Sequence, residues 1–206
     1  MNLRDEFVPD HVKVHAQKSY YQGVIFETIV DDVEFKSGER TTREYILHDD
    51  AVGILPIRIN DENLEVLLIN QYRHPGRRRY WELPAGLRDK PGEELLLCAQ
   101  RELAEETQMS AKHWEHFLSY DSSPGCMVET LDLFIAFDPE VDSRLAADFI
   151  KDTEEAEMIQ QWFSLDEVYA AVRSGDLKSP TLVAGILAAK LDESLLKEKI
   201  FQLRKA

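Results

Sequence analysis

Long apolar runs are missing from this chain of 206 residues. The two longest, residues 51–57 and 182–189, are far shorter than the roughly 20 apolar residues that a membrane-spanning helix needs. Residues 1–6 also lack the apolar core of a signal peptide. Cysteine is scarce, and Cys98 and Cys126 form no Cys-x-x-Cys pair, which favours free thiols in a reducing compartment. We therefore expect a cytoplasmic protein that does not engage a membrane.

Positive charge is in short supply. Lysine and arginine number 24 against 39 aspartate and glutamate residues, so the formal net charge is −15. Such a chain repels a polyanion, and we expect no nucleic-acid partner. Residues 73–79 are the exception, because they concentrate arginines. A local basic cluster on an acidic protein suits a small anionic ligand.

Repeats, low-complexity segments and linkers rich in glycine, serine or proline are absent from the sequence. The chain length fits one domain or one domain with a small appendage. β-Branched, aromatic and apolar runs in the first two thirds of the chain predict strands. These runs cover residues 24–33, 43–48, 51–59, 64–71 and 127–137, with turns at 36–38 and 60–63.

Three helices are indicated by their end signals. The first spans about residues 93–107. The second begins with a capping box of Ser164 and Glu167 and stops near Gly175. The third begins with Ser179 as its cap and Pro180 at its first position. Strands with helices around them predict an α/β or α+β layered domain.

The first helix carries three glutamates that project from one side. Glu102 and Glu106 are four residues apart and Glu105 lies between them, so the side chains are neighbours on the helix surface. Such like charges destabilise a helix unless a cation lies between them. Oxygen ligands of this kind suit magnesium or manganese. A solvated acidic helix face is the alternative interpretation of the same pattern.

The spacing of these glutamates resembles the box of the Nudix hydrolase family, G-x5-E-x7-R-E-U-x-E-E-x-G-U, in which U is aliphatic. The matching residues here are Gly86, Glu93, Arg101, Glu102, Leu103, Glu105, Glu106 and Met109. Two departures occur. Six residues, not five, separate Gly86 from Glu93, and Gln108 replaces the second glycine. That glycine ordinarily ends the helix in a left-handed conformation, which costs another residue about 1 kcal/mol.

Segments outside the box resemble the ADP-ribose pyrophosphatase branch of that family. Residues 71–74 and 81–86 match the segment before the box. Pro124 lies fifteen residues after Met109, at the spacing typical of the branch. Residues 153–158 resemble the loop that carries the catalytic glutamate of the branch.

The resemblance implies an α/β/α sandwich of the Nudix type with a mixed central sheet and an N-terminal strand region. We expect residues 1–45 to be a dimerisation element and residues 46–206 to be the Nudix hydrolase domain. The protein is then expected to be a homodimer. Arg43 resembles an arginine that reaches the site of the partner subunit.

Roles for the site residues are implied by the same resemblance. The expected metal ligands are Glu102, Glu106, Glu155 and the backbone carbonyl of Ala85, and Glu105 assists catalysis. The expected substrate contacts are Arg43, Arg73, Glu82 and Pro124. Gly86, Glu93 and Arg101 are expected to be structural. Arg77, Arg78 and Arg79 match no motif, and we expect them to be solvated or at an interface.

The implied reaction is Mg²⁺-dependent hydrolysis of the pyrophosphate bond of ADP-ribose to AMP and ribose 5-phosphate, with Mn²⁺ as an alternative ion. Glu155 is the expected general base, Glu154 is its competitor one residue away, and Glu129 is the next candidate. Two alternatives remain. The substrate is another nucleoside diphosphate derivative, such as a sugar nucleotide or a dinucleotide, or the domain senses a ligand without cleaving it.

Overall fold

A computed structural model describes residues 3–144 and 157–205 of the chain. A 3₁₀ turn, Pro9–His11, precedes the first strand. The strands within the described residues are β1 (Val12–Gln22), β2 (Phe26–Phe35), β3 (Arg40–His48), β4 (Ala51–Asn60), β5 (Asn63–Arg73), β6 (Arg78–Glu82), β7 (Ala85–Leu87), β8 (Met109–Ser110), β9 (His113–Asp121), β10 (Met127–Val128), β11 (Thr130–Phe137), β12 (Glu140–Val141) and β13 (Ile159–Ser164). The helices are α1 (Leu95–Thr107), α2 (Leu165–Ser174), α3 (Pro180–Leu191) and α4 (Glu193–Leu203).

The described residues divide into two compact units. The N-terminal unit comprises the residues up to Asp49 together with Asp121–Glu129, and the core unit comprises the remainder. The N-terminal unit is a four-stranded sheet in the order β1-β2-β3-β10, in which β10 runs parallel to β3 and the other pairs are antiparallel. Gly38 has a φ of 85°, a left-handed conformation that favours glycine, in the turn between β2 and β3. The predicted turn at residues 36–38 is confirmed.

Strand β1 was not predicted from the sequence. All of its residues except Val12 are exposed, so the strand has no buried face. Alternation of apolar and polar residues arises only where one face of a strand is buried, and β1 therefore carries no period-two signal. Its apolar side chains, such as Val14 and Tyr20, are exposed.

The core unit is built on a mixed sheet with helices on both faces. Five strands follow the order β13-β5-β4-β11-β9, with β6 paired to β5 and β7 to β4. Strand β4 runs antiparallel to β5 and parallel to β11. The predicted connection at residues 60–63 is confirmed, with Asp61 and Glu62 both at positive φ. A separate pair of short strands, β8 and β12, is antiparallel.

Neighbouring residues of the sheet belong to different apolar layers. Leu67 on β5 packs with Cys98 and Leu103 of α1, whereas Leu68 packs with Val168 of α2 and Ile186 of α3. Successive side chains of a strand point to opposite faces, so α1 covers one face of the sheet and α2 and α3 cover the other. The predicted α/β/α sandwich with a mixed sheet is confirmed.

Several details of the predicted elements were wrong, and strand β9 was not predicted at all. Residues 127–137 form two strands, because β10 pairs with β3 and β11 with β4, and those partner strands are themselves interrupted at residues 49–50. Helix α1 begins at Leu95, two residues later than expected. A fourth helix, α4, was not predicted and follows α3 with only Asp192 between them. No helix within the described residues is long and apolar enough to cross a membrane.

The end signals of the second and third helices were correct. Ser164 and Glu167 form the complete capping box of α2, and Gly175 ends the helix with a φ of 80°. Helix α3 begins at Pro180 with Ser179 as its cap, although the Ser179 side chain makes no capping hydrogen bond.

Candidate active site

Helix α1 holds the glutamates of the box against strand β7. Its apolar side, with Cys98 and Leu103, is completely buried against the sheet. The carboxylates on the flank of that side are drawn in as well, and Glu102 and Glu106 are 9% and 8% exposed. Glu105 is half-buried. A freely solvated acidic helix face would not bury two of its three carboxylates, so the alternative interpretation of these residues is wrong for Glu102 and Glu106.

Gly86 is required by the position of Glu102. Strand β7 pairs Gly86 with Val52 of β4. A Cβ atom at residue 86 would overlap the carboxylate of Glu102. The first glycine of the box is thus explained by a close approach between strand and helix, and its φ is not in the left-handed region.

Arg101 joins the loop before α1 to the helix. Its Nε donates to Oε1 of Glu93 at 3.1 Å and its Nη2 to Oε2 of the same carboxylate at 3.0 Å. Its Nη1 contacts Glu102 and also lies 3.2 Å from Glu105. Because a guanidinium donates through a rigid planar fork, Arg101 holds three carboxylates in one arrangement. Arg101, which was expected to be structural, thus pairs with both Glu93 and Glu105.

The protonation equilibria of this cluster follow from its contacts. Hydrogen bonds from Arg101 lower the pKa of Glu93. The same hydrogen bonds raise the pKa of Arg101. Burial raises the pKa of Glu102, and this effect outweighs the opposing attraction of Arg101. Desolvation of a carboxylate disfavours its charged form. A further cation beside Glu102 would therefore stabilise the charged form of this carboxylate.

The backbone of Ala85 meets Glu106. The amide N–H of Ala85 donates to Oε2 of Glu106 at 3.0 Å. This bond ties the end of α1 to the first residue of β7, one residue before Gly86. The two expected ligands Ala85 and Glu106 are therefore neighbours in the structure.

Helix α1 ends in the left-handed backbone conformation that glycine usually adopts at the end of a helix. Gln108 has φ 58° and ψ 29°, in the left-handed region, and its N–H donates to the carbonyl of Ala104 at 2.9 Å. The departure from the box at this position therefore keeps the backbone geometry, at the cost of about 1 kcal/mol that a residue with a Cβ bears there.

The donor set fits a hard divalent cation in part. Within residues 3–144 and 157–205, no three carboxylate, histidine or cysteine side chains converge as a preformed metal-binding group. The fit rests on two buried carboxylates four residues apart on one helix, Glu102 and Glu106, with the carboxylate of Glu105 beside them. Carboxylate oxygens are ligands that magnesium and manganese prefer.

Arg73 and Glu82 pair with each other. The Nη2 of Arg73 lies 2.9 Å and its Nε 3.0 Å from Oε2 of Glu82. Gln71 donates to the same oxygen at 2.9 Å and is only 7% exposed. Gln71 was included in the matched segment without a role, and its burial beside a charged pair is the feature that sequence analysis missed. Half of the Arg73 side chain is exposed, so one edge of its guanidinium is available to a ligand.

Two further expected substrate contacts belong to the N-terminal unit. Arg43 donates through Nη1 to the carbonyl of Thr42 at 2.9 Å and lies over the ring of Phe35. Pro124 follows Ser123, whose carbonyl accepts from the N–H of Cys126 at 3.0 Å. Proline is favoured at this second position of a β-turn.

The candidate bases lie in different parts of the chain. Glu155 and Glu154 lie outside the described residues. Glu129, the next candidate, is in the N-terminal unit, where its Oε1 lies 3.0 Å from Nδ1 of His48. Glu157 follows the undescribed segment and pairs with Arg79 at 2.7 Å.

Cys98 lies beside Arg101 of the glutamate cluster. Its thiol is completely buried and lies 3.5 Å from Nη2 of Arg101. Burial raises its pKa to about 12, so the thiol stays protonated and unreactive. Cys126 is exposed.

Comparisons with known proteins agree with this geometry. The model of the NUDIX domain matches residues 47–182, about two thirds of the chain. The chain belongs to the Nudix family, and the resemblance inferred from the box is confirmed.

Curated relatives carry more specific names. An ADP-ribose pyrophosphatase of Mycobacterium tuberculosis is 34% identical over 84% of this chain and 80% of its own length. An ADP-ribose pyrophosphatase of Bacillus subtilis is 35% identical over 60% of this chain and 65% of its own length. A methanol dehydrogenase activator of Bacillus methanolicus is 30% identical over 89% of this chain and 95% of its own length. The two pyrophosphatases agree with the branch inferred from residues 71–74 and 81–86.

A solved structure shares the fold. The crystal structure of an ADP compounds hydrolase has a TM-score of 0.74, with 18% identity, over 94% of this chain and 98% of its own.

Proposed function

We propose that this protein hydrolyses the pyrophosphate bond of ADP-ribose to AMP and ribose 5-phosphate in a Mg²⁺-dependent reaction, with Mn²⁺ as an alternative ion. The observation that carries the proposal is the burial of Glu102 and Glu106 on one flank of α1, beside β7. Two ADP-ribose pyrophosphatases among the relatives support the choice of substrate.

In this proposal, the residues of α1 bind the metal ion and keep its ligands in position. Glu102 and Glu106, with the Ala85 carbonyl and Glu155, are the ligands, and Glu105 assists them. Mg²⁺ at these carboxylates would neutralise the phosphate oxygens and lower the pKa of a coordinated water. Arg101 keeps the carboxylates in position through its two hydrogen bonds to Glu93.

Two groups of the core unit serve the substrate. Arg73 donates to a phosphate from the exposed edge of its guanidinium, since a planar fork matches phosphate oxygens. Glu82, held by Arg73 and Gln71, accepts from a hydroxyl or amino group of the substrate. Glu155 takes the proton of the attacking water as general base.

The N-terminal unit completes the site in a homodimer. Residues 1–45 are the proposed dimerisation element, and Arg43 is donated to the partner's site. Pro124 is a further proposed substrate contact. Arg43 has no carboxylate partner within the described residues, and its hydrogen bonds are to Thr41 and Thr42. Its charge is therefore available to an anion.

The substrate is tested with a panel of nucleoside diphosphate derivatives. Each compound (ADP-ribose, ADP-glucose, GDP-mannose, NADH and diadenosine diphosphate) is incubated with the protein and Mg²⁺, and both products are identified by mass. We expect ADP-ribose to have the highest kcat/KM and to give AMP and ribose 5-phosphate. A higher kcat/KM for a sugar nucleotide or a dinucleotide would contradict the substrate, and binding without turnover of any compound would contradict the enzyme.

A further inference from the structure

An apolar pocket lies on the face of the core sheet that α1 does not cover. Its volume is about 310 Å³, and its lining is Leu68, Trp81, Phe163, Glu167, Val168, Ala171 and Leu177. This volume reaches the lower end of the range for ligand pockets.

A basic groove adjoins this pocket. It has a volume of about 190 Å³, and its lining includes Arg78, Arg79 and Lys178 against a single acidic residue, Asp176. Trp81 and Leu177 line both spaces, so the apolar pocket opens next to the cations. The chain has a net charge of −15, so a group of three cationic side chains beside an apolar pocket departs from its overall acidic character.

The charges of the groove are only partly neutralised. Arg79 pairs with the exposed carboxylate of Glu157. The carboxylate of Asp176 accepts from the hydroxyl of Ser174. For the side chain of Lys178, the described part of the chain offers neither a hydrogen-bond nor an ion-pair partner. A ligand anion would meet at least one uncompensated cation there.

The pocket is separate from the candidate active site. Glu82 follows Trp81 directly on β6, and adjacent side chains of a strand point to opposite faces. Trp81 packs edge-on against Phe163 in the layer of α2, whereas Leu67 and Trp162 pack in the layer of α1. A ligand in the pocket therefore lies across the sheet from Glu102 and Glu106.

The apolar lining of the pocket favours binding of an aliphatic group over binding of a nucleobase. Among the described residues that line the pocket, Glu167 is the single polar one. Its Oε2 accepts from the N–H of Ser164 at 3.1 Å and from its hydroxyl at 2.6 Å. A base would lose the hydrogen bonds that its edges make with water, which costs free energy. An alkyl chain loses none.

We propose that this pocket and the basic groove form a second binding site for a small amphiphilic anion, an aliphatic chain that ends in a carboxylate or a phosphate. The chain contacts Trp81, Phe163 and Ala171, and the anionic end contacts Arg79 and Lys178. The site is independent of the hydrolytic activity proposed above.

Binding is tested with octanoate and octyl phosphate by calorimetry and by intrinsic tryptophan fluorescence, to which Trp81 in the pocket contributes, with EDTA present so that no metal-bound phosphate contributes. Octanol and inorganic phosphate are the two half-ligands. We expect saturable binding of at least one of the two anions. Each half-ligand should bind with an affinity that is lower by about tenfold or more. No saturable binding of either anion, or equal affinity for octanol, would overturn the proposal.

Variants locate the site. Ala171→Leu fills the pocket and should weaken binding about tenfold, whereas Ala170→Leu on the exposed side of α2 should not. Lys178→Ala should weaken binding and Lys112→Ala should not. If Ala171→Leu does not fold, the lysine pair decides alone. Unchanged affinity in the folded pocket variant or in Lys178→Ala, or displacement of octyl phosphate by ADP-ribose, would overturn the assignment.

Discussion

Glu102 places its carboxylate in the space that a Cβ atom of Gly86 would need. The contact joins the last turns of α1 to β7, the two elements that carry three of the proposed metal ligands, Glu102, Glu106 and Ala85. A methyl group at residue 86 must displace either the carboxylate or the strand. The glycine of the box is thus a condition for the position of Glu102.

Gly86→Ala should therefore lower kcat about 10²-fold, the effect of a misplacement of about 1 Å at a reacting centre. The measurement is steady-state hydrolysis of ADP-ribose with Mg²⁺, and circular dichroism checks the fold. Gly125→Ala is the control, since a Cβ at Gly125 meets open space. Turnover at the wild-type rate in Gly86→Ala would refute the required position of Glu102.

The proposed general base, Glu155, lies outside the described residues and is tested by substitution. Glu155→Gln should lower kcat by about 10²–10⁴-fold with a modest change in KM, because binding of the substrate persists. Glu154→Gln, its neighbour, is the matched control and should lose much less. A large loss in Glu154→Gln alone would mean that the alignment is off by one residue, and two silent variants would leave Glu129 as the base to test.

The dimer predicts complementation between two impaired variants, assayed at a substrate concentration at which each alone has little activity. Arg43→Ala should weaken substrate binding, and Glu106→Gln should lower turnover about 10²-fold or more. If Arg43 acts in the partner's site, a mixed dimer of the two variants contains one intact site. Co-expression should then restore about a quarter of the wild-type activity, given random pairing in a two-fold symmetric dimer. No restoration, or a monomer by sedimentation velocity, would contradict the proposal.

The capping box of α2 predicts a pH-dependent stability. Ser164→Ala should lower the free energy of unfolding by about 1 kcal/mol. Hydrogen bonds from Ser164 lower the pKa of Glu167 in the folded protein. Its contribution is therefore present above the ordinary glutamate pKa of about 4.3 and is lost as the pH falls through the folded value.

Urea unfolding of the wild type and Glu167→Gln at several pH values measures this contribution. The difference between the two proteins should be largest near neutral pH and should vanish in acid. The same difference at all pH values would show that the carboxylate charge is not what stabilises the cap.

The sequence predicted those elements in which a short residue pattern reflects a single local cause, such as a close backbone approach or a helix cap. The box places Gly86 and Glu102 because strand and helix must approach closely there. Ser164 and Gly175 mark the ends of α2 through capping chemistry that needs no tertiary contact. Gln108 shows the limit of such rules, because its backbone adopts the left-handed conformation although the usual glycine is absent.

The elements that the sequence did not predict depend on distant partners. Strand β1 has no buried face, so its pairing with β2 leaves no alternation in the sequence. The break between β10 and β11 mirrors a break in their partner strands. The contact of Gln71 with the Arg73–Glu82 pair depends on the pairing of β5 with β6, which brings residues eleven positions apart together.

In the proposed mechanism, the buried carboxylates of α1 hold the ion that the reaction needs. This role is measured by the hydrolysis of ADP-ribose by Glu106→Gln across a Mg²⁺ titration, beside Glu94→Gln, an isosteric change at an exposed residue before the same helix. We expect a loss of about 10²-fold or more in Glu106→Gln and wild-type turnover in Glu94→Gln. We also expect a metal-free Tm that is equal or slightly higher in Glu106→Gln, because repulsion between Glu102 and residue 106 is relieved. Wild-type turnover by Glu106→Gln at any Mg²⁺ concentration would contradict a role of these carboxylates in holding the ion.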